Sequence, residues 1–130
     1  MTKIIMHGCN GKMGQMIASL IAQDEEIEIV AGVDVSDHIR NPFPVFKTIA
    51  ECNVNADAVI DFASAKATDA LLDHCLEKKL PCVLCTTGLS ASQIKRIEEV
   101  ARETAILKSA NMSLGINMLL KLLKEATAVL

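Results

Sequence analysis

One segment constrains the fold more than any other. Residues 3–7 (KIIMH) form a short apolar run, and glycines at 8, 11 and 14 follow at once. Met13, Met16, Ile17, Leu20 and Ile21 then recur at helical spacing, which predicts a helix over 12–23. A strand that leaves through a glycine turn into a helix has few uses. Gly8 permits the sharp turn, Gly11 lets a phosphate approach bare backbone, and Gly14 lets the helix pack close to the sheet. The free N–H groups of the first helical turn suit an anion. Lys12 adds charge from solvent. It is not a nucleotide-loop lysine of the GxxxxGK[ST] kind, because that pattern is absent.

The rest of the chain repeats the alternation. Strands are expected at 27–34 (IEIVAGVD), 56–62 (ADAVIDF), 82–85 (CVLC) and 105–108, with a two-residue strand at Val45 and Phe46 inside a proline-bearing loop. Helices are expected at 68–78, from the Ser90/Gln93 capping box onward, and at 116–130. Short strands alternating with helices predict an α/β chain: a Rossmann-type parallel sheet with helices on both faces, in three layers. At 130 residues and 51% hydrophobic composition, the chain suits one dinucleotide-binding domain over residues 1–130. The last helix is apolar over a wider face than one sheet contact needs. That width predicts that the natural protein continues into another domain. An oligomeric or domain-swapped contact is the alternative.

Ligands on open parallel sheets sit at the carboxyl ends of the strands. Asp34 ends the second strand, 20 residues after Gly14, where its carboxylate can accept the ribose hydroxyls of an adenosine. It would repel a 2′-phosphate, and Val35 offers no cation beside it. NADH is therefore favoured over NADPH, unless His38, Arg40 or Lys47 folds back. Phe62 lies at the rim of the fourth strand and can cover the ribose on the nicotinamide side. Thr86 and Thr87 offer hydroxyl and backbone hydrogen bonds, and Asn111 an amide. Each feature has a plainer reading: a structural glycine turn, an end-of-strand cap at Asp34, a core phenylalanine, ordinary loop polarity. Ser113 is a candidate cap for the final helix. Cys82 and Cys85 sit in a strand, three apart, and read as structural. His7 suits packing or hydrogen bonding, and His74 a helix surface or boundary. No nucleophile–base or paired-carboxylate spacing emerges.

Composition narrows the function further. Net charge is −3 with no Lys/Arg block, which argues against nucleic acid as a partner. Aromatics make up 2% and there is no Tyr, so dehydrogenases that rely on a catalytic tyrosine are excluded. Five cysteines in an apolar chain need no disulfide framework and suit a reducing, cytoplasmic compartment. No run of 18 apolar residues predicts a membrane span.

Taken together, G8-C-N-G-K-M-G14, Asp34, D61-F62, C-T-T-G-L at 85–89 and S-A-N-M-S-L-G-I-N-M-L-L-K-L-L at 109–123 resemble the dihydrodipicolinate reductase family. The resemblance covers only that family's N-terminal, nucleotide-binding half. It implies reduction of 4-hydroxy-tetrahydrodipicolinate to tetrahydrodipicolinate by hydride from NADH or NADPH, in lysine and diaminopimelate biosynthesis. It implies that Gly8, Asn10, Gly11, Lys12, Met13 and Gly14 hold the pyrophosphate, and that Asp34 holds the adenosine ribose. Phe62, Thr86, Thr87 and the backbone of Ala110, Asn111 and Met112 would line the nicotinamide end. The family often carries Arg after the ribose acid, where Val35 stands here. It also often carries Thr-Arg after D-F, where Ala63 and Ser64 stand. The small dicarboxylate substrate, the catalytic lysine and the homotetramer contacts are implied to belong to a second domain that this sequence lacks. The chain alone is therefore expected to be inactive. Another NAD(P)-dependent dehydrogenase's first domain, or a non-catalytic dinucleotide sensor, are the alternatives.

Overall fold

A computed structural model describes residues 1–109 and 114–129, the latter segment by backbone alone as far as residue 120. The order of elements is β1 (Thr2–His7), α1 (Lys12–Ile21), β2 (Ile27–Val33), β3 (Val45–Phe46), β4 (Ala58–Asp61), α2 (Thr68–Lys78), β5 (Cys82–Leu84), α3 (Ala91–Val100), β6 (Ile106–Lys108) and α4 (Leu114–Val129). Two 3₁₀ turns, Ile49–Glu51 and Ala65–Ala67, interrupt the connections into β4 and α2. The strands form one six-stranded sheet, all parallel, in the order β3-β2-β1-β4-β5-β6.

That order has a direct consequence. The chain winds outward from β1 to β3, returns to the centre, and winds outward again from β4 to β6. Right-handed crossovers then put α1 on one face and α2 with α3 on the other. The winding reverses between β1 and β4, and there the connections diverge and open a crevice at the strand ends.

The core lies mainly on the α2–α3 face. Ile5, Ala31, Val33, Val59, Cys82 and Leu84 project from the sheet and pack with Leu71, Leu72, Cys75, Ile97 and Val100. The period-two pattern of β4 and β5 accounts for this. Val59, Asp61, Cys82 and Leu84 are buried, while Ala58, Ile60 and Val83 on the opposite face are half-buried. Local chemistry sets the helix ends. Ser90 and Gln93 form the capping box that starts α3, with Ser90 Oγ accepting the Gln93 N–H at 3.2 Å. Lys79 closes α2 in the left-handed region at φ 53°, a position that glycine fills at less cost. The five cysteines are free and buried, Cys82 and Cys85 included, as their place in and beside a strand requires.

Candidate functional site: the crevice at the reversal of strand order

The turn leaving β1 is built from close backbone approaches. Gly8 has φ +82°, and its N–H donates to the Val33 carbonyl at 2.8 Å. A Cβ at Gly8 would lie 2.6 Å from the Phe62 carbonyl oxygen, and one at Gly14 would lie 2.2 Å from the Gly8 oxygen. Both positions exclude any side chain because the obstacle is backbone. Gly11 differs. Its φ of −77° suits any residue, and a Cβ there would meet only the Gly8 oxygen at 3.5 Å, an ordinary contact. The protein's own packing does not require glycine at 11. A ligand resting on that backbone would. Gly11 is also the N-cap of α1 and makes no side-chain cap, so no side chain of the cap residue occupies the helix start.

Asp34 and Asn10 tie this turn to the loop after β2. The Asn10 N–H donates to Asp34 Oδ2 and the Ser36 N–H to Asp34 Oδ1, both at 2.9 Å. Asn10 Nδ2 donates to the Ser36 carbonyl at 2.6 Å, and Asn41 Nδ2 donates to Asn10 Oδ1 at 2.7 Å. Gln15 Nε2 reaches the Cys9 carbonyl at 2.8 Å. The Asp34 carboxylate is thus aimed by two backbone donors. A carboxylate offers about four acceptor positions, so roughly two remain for a ligand's hydroxyls. Burial, with the Asp34 carboxylate adding to it, pushes the Cys9 thiol up to about 11. The thiol beside the turn therefore stays neutral at physiological pH and adds no charge that would repel phosphate.

A second cluster joins the carboxyl ends of β1, β4 and β5. His7 Nδ1 meets Asp61 Oδ1 at 2.7 Å, and Thr86 Oγ1 donates to Asp61 Oδ2 at 2.5 Å. The Ala63 N–H also donates to Asp61 Oδ1, at 3.2 Å. All three side chains are buried. A carboxylate only accepts, so His7 Nδ1 carries the proton in this pair. Thr86 spends its hydroxyl proton on Asp61, which leaves its backbone for a ligand. Thr87 and Gly88 are exposed beyond it. Sequence reasoning assigned His7 a packing or hydrogen-bonding role, which it has, but missed Asp61 as its partner. Strand register held the signal: His7 lies directly opposite Asp61, and Asp61 opposite Leu84, two residues before Thr86.

Between these clusters lies a cavity of about 570 Å³, a size that suits part of a small-molecule ligand. Gly8, Gly11, Asp34, Lys47, Phe62 and Lys66 are among its lining residues. The structure thus brings the glycine turn, Asp34 and Phe62 to one hollow. Gly14 is buried behind it, and Lys12 and Met13 are exposed on the first turn of α1. Ala110, Asn111, Met112 and Ser113 lie outside the described residues. Of the three basic side chains considered beside Asp34, only Lys47 lines this cavity. His38 is hydrogen-bonded to Ser36 Oγ, and Arg40 lines a separate groove between α1 and the Pro42–Phe43 turn. Among the described residues no cluster of His, Cys, Asp or Glu could hold a metal ion, and no helix is long and apolar enough to cross a membrane.

Comparison with known proteins gives the same picture. The profile for the N-terminus of dihydrodipicolinate reductase matches residues 2–112. The 4-hydroxy-tetrahydrodipicolinate reductase of Clostridium novyi is 45% identical over 130 residues, which is all of this chain and 52% of that protein. Its counterpart from Caldanaerobacter subterraneus is 46% identical, again over all of this chain and 51% of that protein. The chain therefore spans about half the length of these curated relatives. Among solved structures, the dipicolinate-bound dihydrodipicolinate reductase of Paenisporosarcina sp. TG-14 superposes with a TM-score of 0.67 and 23% identity, covering 78% of this chain and 43% of that one. A probable dehydrogenase from Thermotoga maritima gives a TM-score of 0.69 at 21% identity, over 97% of this chain and 40% of its own. At such identities the likeness concerns the fold alone.

Proposed function

This chain belongs to the dihydrodipicolinate reductase N-terminal family, and from that premise we propose that it is the dinucleotide-binding half of a cytoplasmic NAD(P)H-dependent reductase. The reaction proposed is reduction of 4-hydroxy-tetrahydrodipicolinate to tetrahydrodipicolinate, in lysine and diaminopimelate biosynthesis. The observation that carries the reading is Gly11. It is a glycine that the protein's packing does not need, exposed at a bare helix start, in one cavity with the oriented Asp34 carboxylate.

The residues fit a dinucleotide. The backbone from Gly8 to Gly14, with Asn10, Lys12 and Met13, would hold the pyrophosphate, as the proximity of the bare helix start and the lysine supports. Asp34 would accept the adenosine ribose hydroxyls through the lone pairs that Asn10 and Ser36 leave free, which favours NADH over NADPH. Phe62, Thr87 and the backbone of Thr86 and Ala110–Met112 would line the nicotinamide end. When bound, the cofactor supplies the hydride. This chain's part is to bind, to orient the cofactor along the rim, and to keep β1, β4 and β5 in register through the His7–Asp61–Thr86 cluster. The small dicarboxylate substrate, the proton it receives and the homotetramer contacts are assigned to the other half of the full-length protein. Positioning of two reactants is worth orders of magnitude in rate, so the chain alone should bind NADH weakly and turn over nothing.

Calorimetric titration tests this. The chain should bind NADH, and Asp34→Ala should weaken it by about tenfold or more, the loss of at least one hydrogen bond to a charged acceptor. Unchanged affinity would remove Asp34 as the ribose ligand. Turnover by this chain at an enzyme-like rate would overturn the assignment of catalysis to the other half.

A further inference from the structure

We propose that Lys47 is a specificity-determining residue that lets this site accept NADPH beside NADH by pairing with the 2′-phosphate; the proposal rests on the dinucleotide reading above. β2 and β3 run parallel with Val33 opposite Phe46, and the Asp34 N–H donates to the Phe46 carbonyl at 2.9 Å. The next residues in register are Asp34 and Lys47. The acid and the lysine therefore leave adjacent strand ends side by side, and both line the same cavity. Lys47 is exposed and enters none of the ion pairs among the described residues, which are His7–Asp61, Lys79–Glu103 and Arg96–Asp73. Its ammonium is thus uncommitted. The other two basic side chains near this loop are not available in the same way. Arg40 lines the groove beside α1, and His38 is bound to Ser36.

Asp34, for its part, is not a bare charge. Its oxygens already accept the Asn10 and Ser36 N–H groups, which fix the direction in which it meets a ligand. A 2′-phosphate at the ribose position that Asp34 reads would be repelled by the carboxylate and attracted by the neighbouring ammonium. The two strand ends would then set the balance between cofactors. Asp34 rewards the 2′-hydroxyl, and Lys47 offsets its penalty on the phosphate. The cation comes from just past the end of the neighbouring strand β3, not from the sequence neighbour Val35.

The test compares NADH and NADPH by calorimetry at one fixed, moderate salt concentration, for the unchanged chain, Lys47→Gln and Lys66→Gln. Lys66 is the control: it is a second lysine lining the cavity, away from the Asp34 strand end. Lys47→Gln should weaken NADPH about tenfold, the scale of one screened charge-assisted contact, and leave NADH within about twofold. Lys66→Gln should leave the NADPH-to-NADH ratio unchanged. An equal loss for both cofactors in Lys47→Gln, or no loss, overturns the inference, as does an NADPH-selective loss in Lys66→Gln. If NADH binds and only these outcomes fail, the inference alone falls. If the unchanged chain binds neither cofactor, the dinucleotide reading falls and takes the inference with it. Thermal melts of the variants should coincide with the parent, since both side chains are exposed.

Discussion

Replacing Gly11 by alanine separates what the fold needs from what a ligand needs. The added Cβ would lie 3.5 Å from its nearest neighbour outside the adjoining residues, the Gly8 oxygen, with φ −77° and ψ 171° comfortable for alanine. As a helix N-cap, alanine is less favourable than glycine by up to about 1 kcal/mol. Lower entropy of the unfolded chain offsets part of that, by about 0.4–1 kcal/mol. Stability should thus change by less than about 1 kcal/mol. Binding should change more. A methyl group on the backbone where a phosphate rests would displace it from one or two N–H donors, each worth about 1.5–3 kcal/mol to a charged acceptor. That is a loss of roughly tenfold to a hundredfold in NADH affinity or more. Gly14→Ala is the reverse case, since its Cβ would sit 2.2 Å from the Gly8 oxygen. The overlap must push α1 from the turn, at about 1–3 kcal/mol or above. Thermal unfolding and calorimetric NADH titration of both variants read the two effects. A Gly11→Ala chain that binds NADH like the parent would refute the reasoning.

Thr86→Val keeps the shape but removes the donor to Asp61, so it should cost about 1.5–3 kcal/mol in urea unfolding, and a change below about 0.5 kcal/mol would mean that the buried cluster does not latch the strand ends. Lys79→Gly should raise stability by about 0.5–1 kcal/mol, since glycine accepts the left-handed φ of 53° and the lost Lys79–Glu103 pair is exposed; a lower melting temperature would count against it. Stability should also fall at both ends of the pH range. Burial, then the Lys78 charge, holds the His74 imidazole below its ordinary value of 6.5, so the unfolded chain binds more protons in acid and stability drops as pH falls through about 6.5. Burial raises the thiols of Cys9, Cys52 and Cys85 above 9.0, Cys9 to about 11, so the native state holds more protons in base and stability drops as pH rises past about 9. Urea midpoints from pH 5 to 10.5 should therefore peak between those limits; a midpoint still rising at pH 10 would contradict the assignment.

Much of this was legible in the chain itself, for a physical reason. Parallel strands buried on both faces need near-continuous apolar runs, and the helices between them need a 3.6-residue period, so KIIMH, IEIVAGV, AVID and CVL stand out against their surroundings. The Ser90 capping box marked the start of α3 to the residue. The glycine turn and Asp34 were visible because their roles depend on backbone geometry at fixed offsets. What escaped was chemistry that depends on register between strands. His7, Asp61 and Thr86 are far apart in the chain and meet only because β4 lies between β1 and β5. Lys47 is one of three basic residues that the sequence offers beside Asp34, and it is the β2–β3 register that singles it out. Asn41 and Gln15, which brace Asn10 and Cys9, lie on a loop and a helix whose contact no periodicity announces. The 3₁₀ turns escaped too, since three residues carry too little pattern to register.

Amide NMR of the isotopically labelled chain during NADH titration reports each N–H separately and so shows where the dinucleotide lies. The largest shifts should fall at Gly8–Gly14, at Asp34–Ser36 and at Phe62–Ala63, around the cavity between β1, β2 and β4. Shifts confined elsewhere, such as the groove lined by Ala18, Ala22, Arg40 and Pro42, with the glycine turn unmoved, would contradict that placement.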